Sequence, residues 1–197
     1  MEEQRTRLEV DLIRHGEPVG GRRYRGCQND SLSEQGWRQM EQAVVEEPAW
    51  QHIVTSPLSR CRDFALALGE RQGIAVSEEP RFREIGFGSW EGRSAAELRA
   101  EDPDCLQRFY HDPVLHRPPG AESLADFMVR VVAAWEDVLA AHPGRRLLIV
   151  AHAGVMRALV AHVLGMPVAH LFRLQIGNAA LLRIRGNGER PPALLLS

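Results

Sequence analysis

Cysteine is scarce: Cys27, Cys61 and Cys105 are the only three, widely separated and without C-x-x-C spacing. An odd, scattered set fits reduced thiols in a cytoplasmic protein better than a disulfide framework or a zinc site. Long apolar runs are missing as well. No segment approaches the ~18–20 apolar residues of a membrane span, and the charged start MEEQRTRLEV lacks the apolar centre of a secretory signal. A dominant charge is also absent: 24 basic residues against 26 acidic ones leave a formal net charge of −2. Neither nucleic acid nor a membrane surface is therefore expected as a partner. There is no internal repeat, low-complexity block or linker, and the Pro- and Gly-rich HRPPGAES at 116–123 should be an ordered loop. With 44% of its 197 residues hydrophobic, the chain is expected to form a single domain, 1–197, around one core.

What is present is an alternation of short apolar runs with helical patterns. Leu8 to Ile13 reads as a strand; Ser33 can cap a helix carrying Trp37, Met40 and Val44, and Ile53 to Thr55 forms the next strand. Pro57 suits the first turn of a helix running to about Arg71. Helices follow over Ala95–Phe109 and Ser123–Ala141, the latter with Phe127, Val131 and Trp135 along one face. The run RRLLIVAH at 145–152 opens into a helix over Ala153–Leu164, and Ala179–Ile184 and Ala193–Leu196 read as late strands. Strands alternating with helices predict an α/β fold, a three-layer α/β/α sandwich on a mainly parallel sheet.

In such sheets ligands sit beyond the carboxyl ends of the strands. Three strand exits deliver basic groups there: Arg14 and His15 after the first strand, Ser56 to Arg60 after the second, and His152 after the run ending at Val150. A phosphoryl group needs its nonbridging oxygens held and its charge stabilised as the leaving oxygen departs. Two guanidiniums, two imidazoles and the N–H groups of a helix start suit that task without a metal or other cofactor. One imidazole can also be the nucleophile. His111 and His116 are five apart, which is not the spacing of a helical metal pair.

The segments LIRHGEP, TSPLSRCRDFA (55–65), REIGFGSWEG (83–92) and VAHAGVMRAL (150–159) resemble, in order, the signature blocks of the histidine phosphatase superfamily, which includes the cofactor-dependent phosphoglycerate mutases. The resemblance implies a phosphoglycerate mutase-like fold and makes His15 the residue that becomes phosphohistidine. Arg14, Arg60 and His152 complete the phosphate pocket, with Gly16 and Ala153 lining it, and Glu84 protonates the leaving oxygen and later helps activate water. Glu17, Glu91 and Asp112 are other acids that could reach the site. Neighbouring positive charge should keep His15 neutral, with its second ring nitrogen fixed by a backbone carbonyl.

The family's mutases usually carry a longer insertion between the Glu84 and His152 blocks, so this shorter chain favours a phosphatase over a mutase. The stretch GGRRYRGCQNDSLSEQGWRQM (20–40), with WQHIVTSPLSRC and PPGAESLADF, resembles α-ribazole phosphatases of bacterial cobalamin synthesis. That implies α-ribazole 5′-phosphate as substrate, with Arg22, Arg25 and Asn29 contributing to binding and Arg23 available beside them. Tyr24 could stack on a base or be a partly buried loop residue. Pro18 stands where many relatives have Thr or Ser. The segment holding Trp90, Phe109, Tyr110, His111 and His116 is a candidate substrate rim. The expected partner is thus a small-molecule phosphate ester; a homodimer is left open. A broad sugar- or nucleotide-phosphate phosphatase and a noncatalytic phospho-ligand scaffold are the competing readings.

Overall fold

The computed structural model describes residues 7–45 and 50–195. Its sheet has six strands: β1 (Leu8–Arg14), β2 (His52–Thr55), β3 (Val76–Glu78), β4 (Arg146–Ala151), β5 (Leu181–Gly186) and β6 (Ala193–Leu195). Their order is β3-β2-β4-β1-β5-β6. The first four run parallel, and β5 and β6 add an antiparallel edge. The α-helices are α1 (Glu34–Ala43), α2 (Ser59–Gln72), α3 (Ala95–Glu101), α4 (Cys105–His111), α5 (Leu124–Ala141) and α6 (Ala153–Leu164). None of the described helices is long and apolar enough to cross a membrane.

The central strands are apolar on both faces because each face is covered by helices. Along β4, Leu147, Ile149 and Ala151 enter the core beneath α5 and α6, whereas Leu148 and Val150 enter the opposite core with Phe64 and Leu68 of α2 and Met40 of α1. All five β4 side chains are completely buried, each leucine or isoleucine contributing about 1.5–3 kcal/mol through removal from water. The three layers and mainly parallel sheet agree with the sequence expectation.

Three boundaries differ. The continuous helix expected over Ala95–Phe109 is two short ones, because Pro103 supplies no N–H and drives Asp102 into extended backbone (φ −142°, ψ 97°). The second helix begins at Ser59, with Pro57 lying before the extended N-cap residue Leu58. The strand expected from Ala179 begins at Leu181, since Ala179 has a left-handed φ of 54°. Strand β3 was not expected; only its three-residue pairing with β2 defines it. Ser33 does cap its helix, accepting from the Gly36 N–H. The N-terminal residues 1–6 and Leu196 of the last expected strand lie outside the described residues.

Candidate active site

The parallel neighbours β2, β4 and β1 end side by side, so their three exits meet. His15 follows β1 and is 6% exposed. Its N–H donates to the Ala151 carbonyl at 3.0 Å, and its ring Nδ1 lies 2.7 Å from the Gly16 carbonyl. A carbonyl only accepts, so Nδ1 carries the proton and Nε2 keeps a free lone pair. Burial, reinforced by the charges of Arg60 and Arg14, holds the imidazole well below its usual pKa, and the Gly16 carbonyl only partly offsets this. The ring is neutral at neutral pH.

His152 caps α6 and is fully buried, its ring edge-on to His15 at 5.2 Å between centroids. Its Nε2 shares a 2.7 Å hydrogen bond with the Ser56 hydroxyl. Burial, then the charges of Arg60, His15 and Arg14, likewise push it well below the imidazole range.

The arginines are fixed by backbone carbonyls rather than by carboxylates. Arg14 Nη1 donates to Ile176 O at 2.6 Å, and Arg60 donates to Gln28 O at 2.5 Å and Gly26 O at 2.9 Å. Carbonyls orient a guanidinium without neutralising it. Both Nε groups are buried and have no hydrogen-bond partner, and burial lowers the Arg14 pKa to about 10 despite the opposing charge of Glu84. The chain has no lysine, and the guanidiniums of Arg14 and Arg60 keep this pocket positively charged at any physiological pH.

Glu84 faces this cluster from a loop. Its Oε2 accepts the Gly154 N–H in the first turn of α6 at 3.2 Å, and Oε1 accepts Ile85 N–H at 3.0 Å. A Cβ on Gly154 would lie 2.1 Å from Glu84 Oε1, so glycine there makes room for the acid. The other candidate acids are occupied elsewhere: Glu91 accepts from the Cys27 and Phe87 N–H groups, and Asp112 from Val114 and Leu115. Glu17 is held through its backbone by Ser33 and Gln39.

Several expected binding residues have other occupations. Arg25 is 8% exposed and spends its donors on Asp30 and the Val19 and Gly21 carbonyls, shaping the loop instead of reaching a ligand. Asn29 Oδ1 accepts the Ser59 N–H at 2.7 Å, closing the start of α2 just before Arg60. Gly16 is a packing residue, since a Cβ there would meet the Gly36 carbonyl at 2.1 Å. Ala153 is buried in the first turn of α6. Arg23 reaches Gly92 O and Glu97. Tyr24 packs edge-on against Phe87 and Trp90 and hydrogen-bonds Tyr110, a core role rather than a base platform. Arg22 is exposed, and its charge is felt at Arg14. Sequence reasoning did not single out Ser56, which bonds His152, or Arg130, which bonds the Glu84 carbonyl. Among the described residues no group of three or more His, Cys, Asp or Glu could hold a metal ion.

Two neutral imidazoles, two guanidiniums held by carbonyls and one carboxyl at a helix start form a cluster able to hold a phosphoryl group. Residues 10–197 match the family model of the histidine phosphatase superfamily (branch 1), and the chain belongs to that family. Phosphoserine phosphatase 1 of Hydrogenobacter thermophilus is 32% identical over 197 residues, covering 96% of this chain and 92% of that protein. A mycobacterial glucosyl-3-phosphoglycerate phosphatase complexed with VO3 superposes with a TM-score of 0.85 at 32% identity, covering 95% of this chain and 97% of the other. The α-ribazole phosphatase of Shigella flexneri gives a TM-score of 0.80 at 25% identity, covering 96% and 95%. The chain spans 50% of the length of the matched relatives from Mycobacterium bovis and Mycobacterium tuberculosis.

Proposed function

We propose that the chain is a phosphomonoesterase working through a phosphohistidine on His15. The observation that carries this is the pairing of a bare His15 Nε2, its Nδ1 pinned at 2.7 Å by Gly16 O, with two buried arginine Nε donors that no protein group satisfies. A buried unpaired donor is disfavoured unless a ligand completes it, and a phosphoryl oxygen is the acceptor that fits.

In the first step the Nε2 lone pair attacks phosphorus in line and the P–O bond to the organic group breaks. The leaving oxygen takes the proton of the Glu84 carboxyl. Arg14, Arg60 and His152 donate to the nonbridging oxygens and stabilise their charge as it builds. In the second step water attacks the phosphohistidine, its proton returns to Glu84 and the P–N bond breaks. Orthophosphate and neutral His15 remain.

The finer assignment is α-ribazole 5′-phosphate as substrate, supported by the segments at 20–40, 50–61 and 118–127 and by exposed Arg22, whose charge is felt at Arg14. The loop supports it through Arg22 alone, because Arg23, Tyr24 and Arg25 are engaged within the protein.

Reactions with ³²P-labelled substrate quenched in alkali, where the P–N bond survives, test the chemistry: label is expected on a His15 peptide, and none in His15→Ala, whose kcat/KM falls by about 10³-fold or more. Labelling elsewhere, or near wild-type turnover in that variant, overturns it. Label returned to substrate instead of released as orthophosphate would make the enzyme a mutase. Comparing kcat/KM for α-ribazole 5′-phosphate, sugar phosphates, nucleotides and phosphoglycerates, with chelator present, tests the substrate; a flat profile leaves a broad phosphatase.

A further inference from the structure

The segment bearing Glu84 has little regular structure of its own: after the short 3-10 turn Pro80–Phe82 it runs as loop until the next turn at Gly88. Something else must hold the carboxyl at the start of α6. That holder is one side chain of α5. Arg130 Nη1 donates to the carbonyls of Arg81 at 2.5 Å and Arg83 at 2.9 Å, and Nη2 donates to the carbonyl of Glu84 itself at 3.2 Å. Its remaining edge makes a two-pronged ion pair with Glu122, Nε to Oε1 at 2.6 Å and Nη2 to Oε2 at 2.8 Å. The guanidinium also lies over the Phe127 ring, 4.7 Å from its centroid.

Glu122 closes the loop from the other side. Its Oε2 accepts the Gly86 N–H at 3.3 Å, and its own N–H donates to Gly86 O at 2.9 Å. The side chains of Arg130 and Glu122 are 13% and 18% exposed. Both are therefore shielded enough for directed hydrogen bonds to hold their geometry. The backbone from Arg81 to Gly86 is thus gripped at four residues by a single fork and its counter-ion, with Glu84 inside the grip.

We propose that Arg130 and Glu122 are positioning residues for the leaving-group proton, acting through Glu84. This deepens the phosphatase reading and rests on Glu84 being the acid. A guanidinium fork is needed because three carbonyls and a carboxylate must be met in one plane, which an ammonium cannot do.

The test uses leaving-group basicity, which a merely structural role would not sense. An alkyl phosphate needs its departing oxygen protonated, whereas p-nitrophenyl phosphate expels a phenolate that needs little help. In Arg130→Lys and Glu122→Gln, kcat/KM for the alkyl ester is expected to fall about 10²-fold, toward the loss in Glu84→Gln, while the aryl ester changes about threefold or less. Combining either variant with Glu84→Gln should add little further loss. Equal losses on both esters overturn the positioning role, as does a full additive loss in the double variant. If Glu84→Gln shows no leaving-group dependence, the assignment of Glu84 as acid fails instead, and the two failures are distinct. Thermal melting of both single variants confirms that the comparison is made on folded protein.

Discussion

Strand β1 carries buried charge at two levels and treats it in opposite ways. At mid-strand, fully buried Asp11 receives Trp50 Nε1 at 2.8 Å, Arg146 Nη2 at 2.8 Å and Arg185 Nη2 at 2.5 Å. Three residues on, Arg14 meets only a carbonyl, and its Nε, like that of Arg60 in α2, is left without a partner. In the lower cluster the guanidiniums are paired with a carboxylate, which serves stability. The upper one is short of acceptors, which is unfavourable in the free protein and becomes favourable when an anion arrives. On the proposed function, this local deficit is what the rest of the fold supports.

Removing a carboxylate from the lower cluster is the harshest way to examine this contrast. Asp11→Asn leaves shielded arginines without their counter-charge and is expected to cost about 3–5 kcal/mol in chemical denaturation, while kcat/KM per folded molecule stays unchanged. Burial alone would raise the Asp11 pKa, but the hydrogen bonds from Arg146, Arg185 and Trp50 outweigh it and the net shift is downward. A depressed carboxylate stabilises above its unfolded value and loses that contribution as pH falls, so the effect of the variant should fade below about pH 4. A large activity loss with intact stability would erase the division between the two levels.

Arg14→Met makes the reciprocal change. It removes an uncompensated charge, so thermal stability without ligand should hold or rise, whereas orthophosphate affinity measured by calorimetry should weaken about 10- to 100-fold, the range for a lost charge-assisted hydrogen bond. The stabilisation that phosphate gives the wild type in melting experiments should shrink in step. Unchanged phosphate affinity would move the anion site away from Arg14.

The smallest effect concerns a histidine pair away from the catalytic edge. His52 and His142 stack with centroids 4.1 Å apart, and His52 bonds Ser77 Oγ at 2.8 Å. Burial lowers both pKa values, with Arg145 adding to each and His142 adding to His52. A histidine depressed by folding favours the native state above its unfolded pKa, about 6.5, and loses that contribution as pH drops. Between pH 7.5 and 5.5 the melting temperature of His142→Gln should fall less than that of wild type, by on the order of 2 °C. His15 and His152 are depressed too, so wild type keeps most of its acid sensitivity in either case. Identical slopes would mean that folding leaves the His142 pKa at its unfolded value.

The layered α/β fold, the caps and the ring of His15, Arg14, Arg60 and His152 were legible because each depends on local sequence. Apolar runs bounded by turns read as buried strands, and residues just past a strand's carboxyl end are carried to the ligand edge whatever follows. The helix break at Pro103 was equally local, and was missed by following apolar spacing across it. Strand β3 was not legible, since three residues gain their structure from pairing with β2. The loop at 20–26 was overread: three arginines and a tyrosine resemble a substrate surface in one dimension, but only folding shows that Arg25 meets Asp30 and Tyr24 meets Trp90.

The sequence by itself therefore determined the class of fold, the candidate nucleophile His15 and the basic groups that the strand exits bring beside it, through periodicity, strand exits and the order of four motifs. Tertiary structure alone decided which guanidiniums meet carbonyls and which a carboxylate, which acid reaches the helix start, and how Arg130 and Glu122, both distant in sequence from that acid, grip its loop. Partner satisfaction is a property of three-dimensional neighbours: a charge has the same letter in the sequence whether its hydrogen bonds are met or missing.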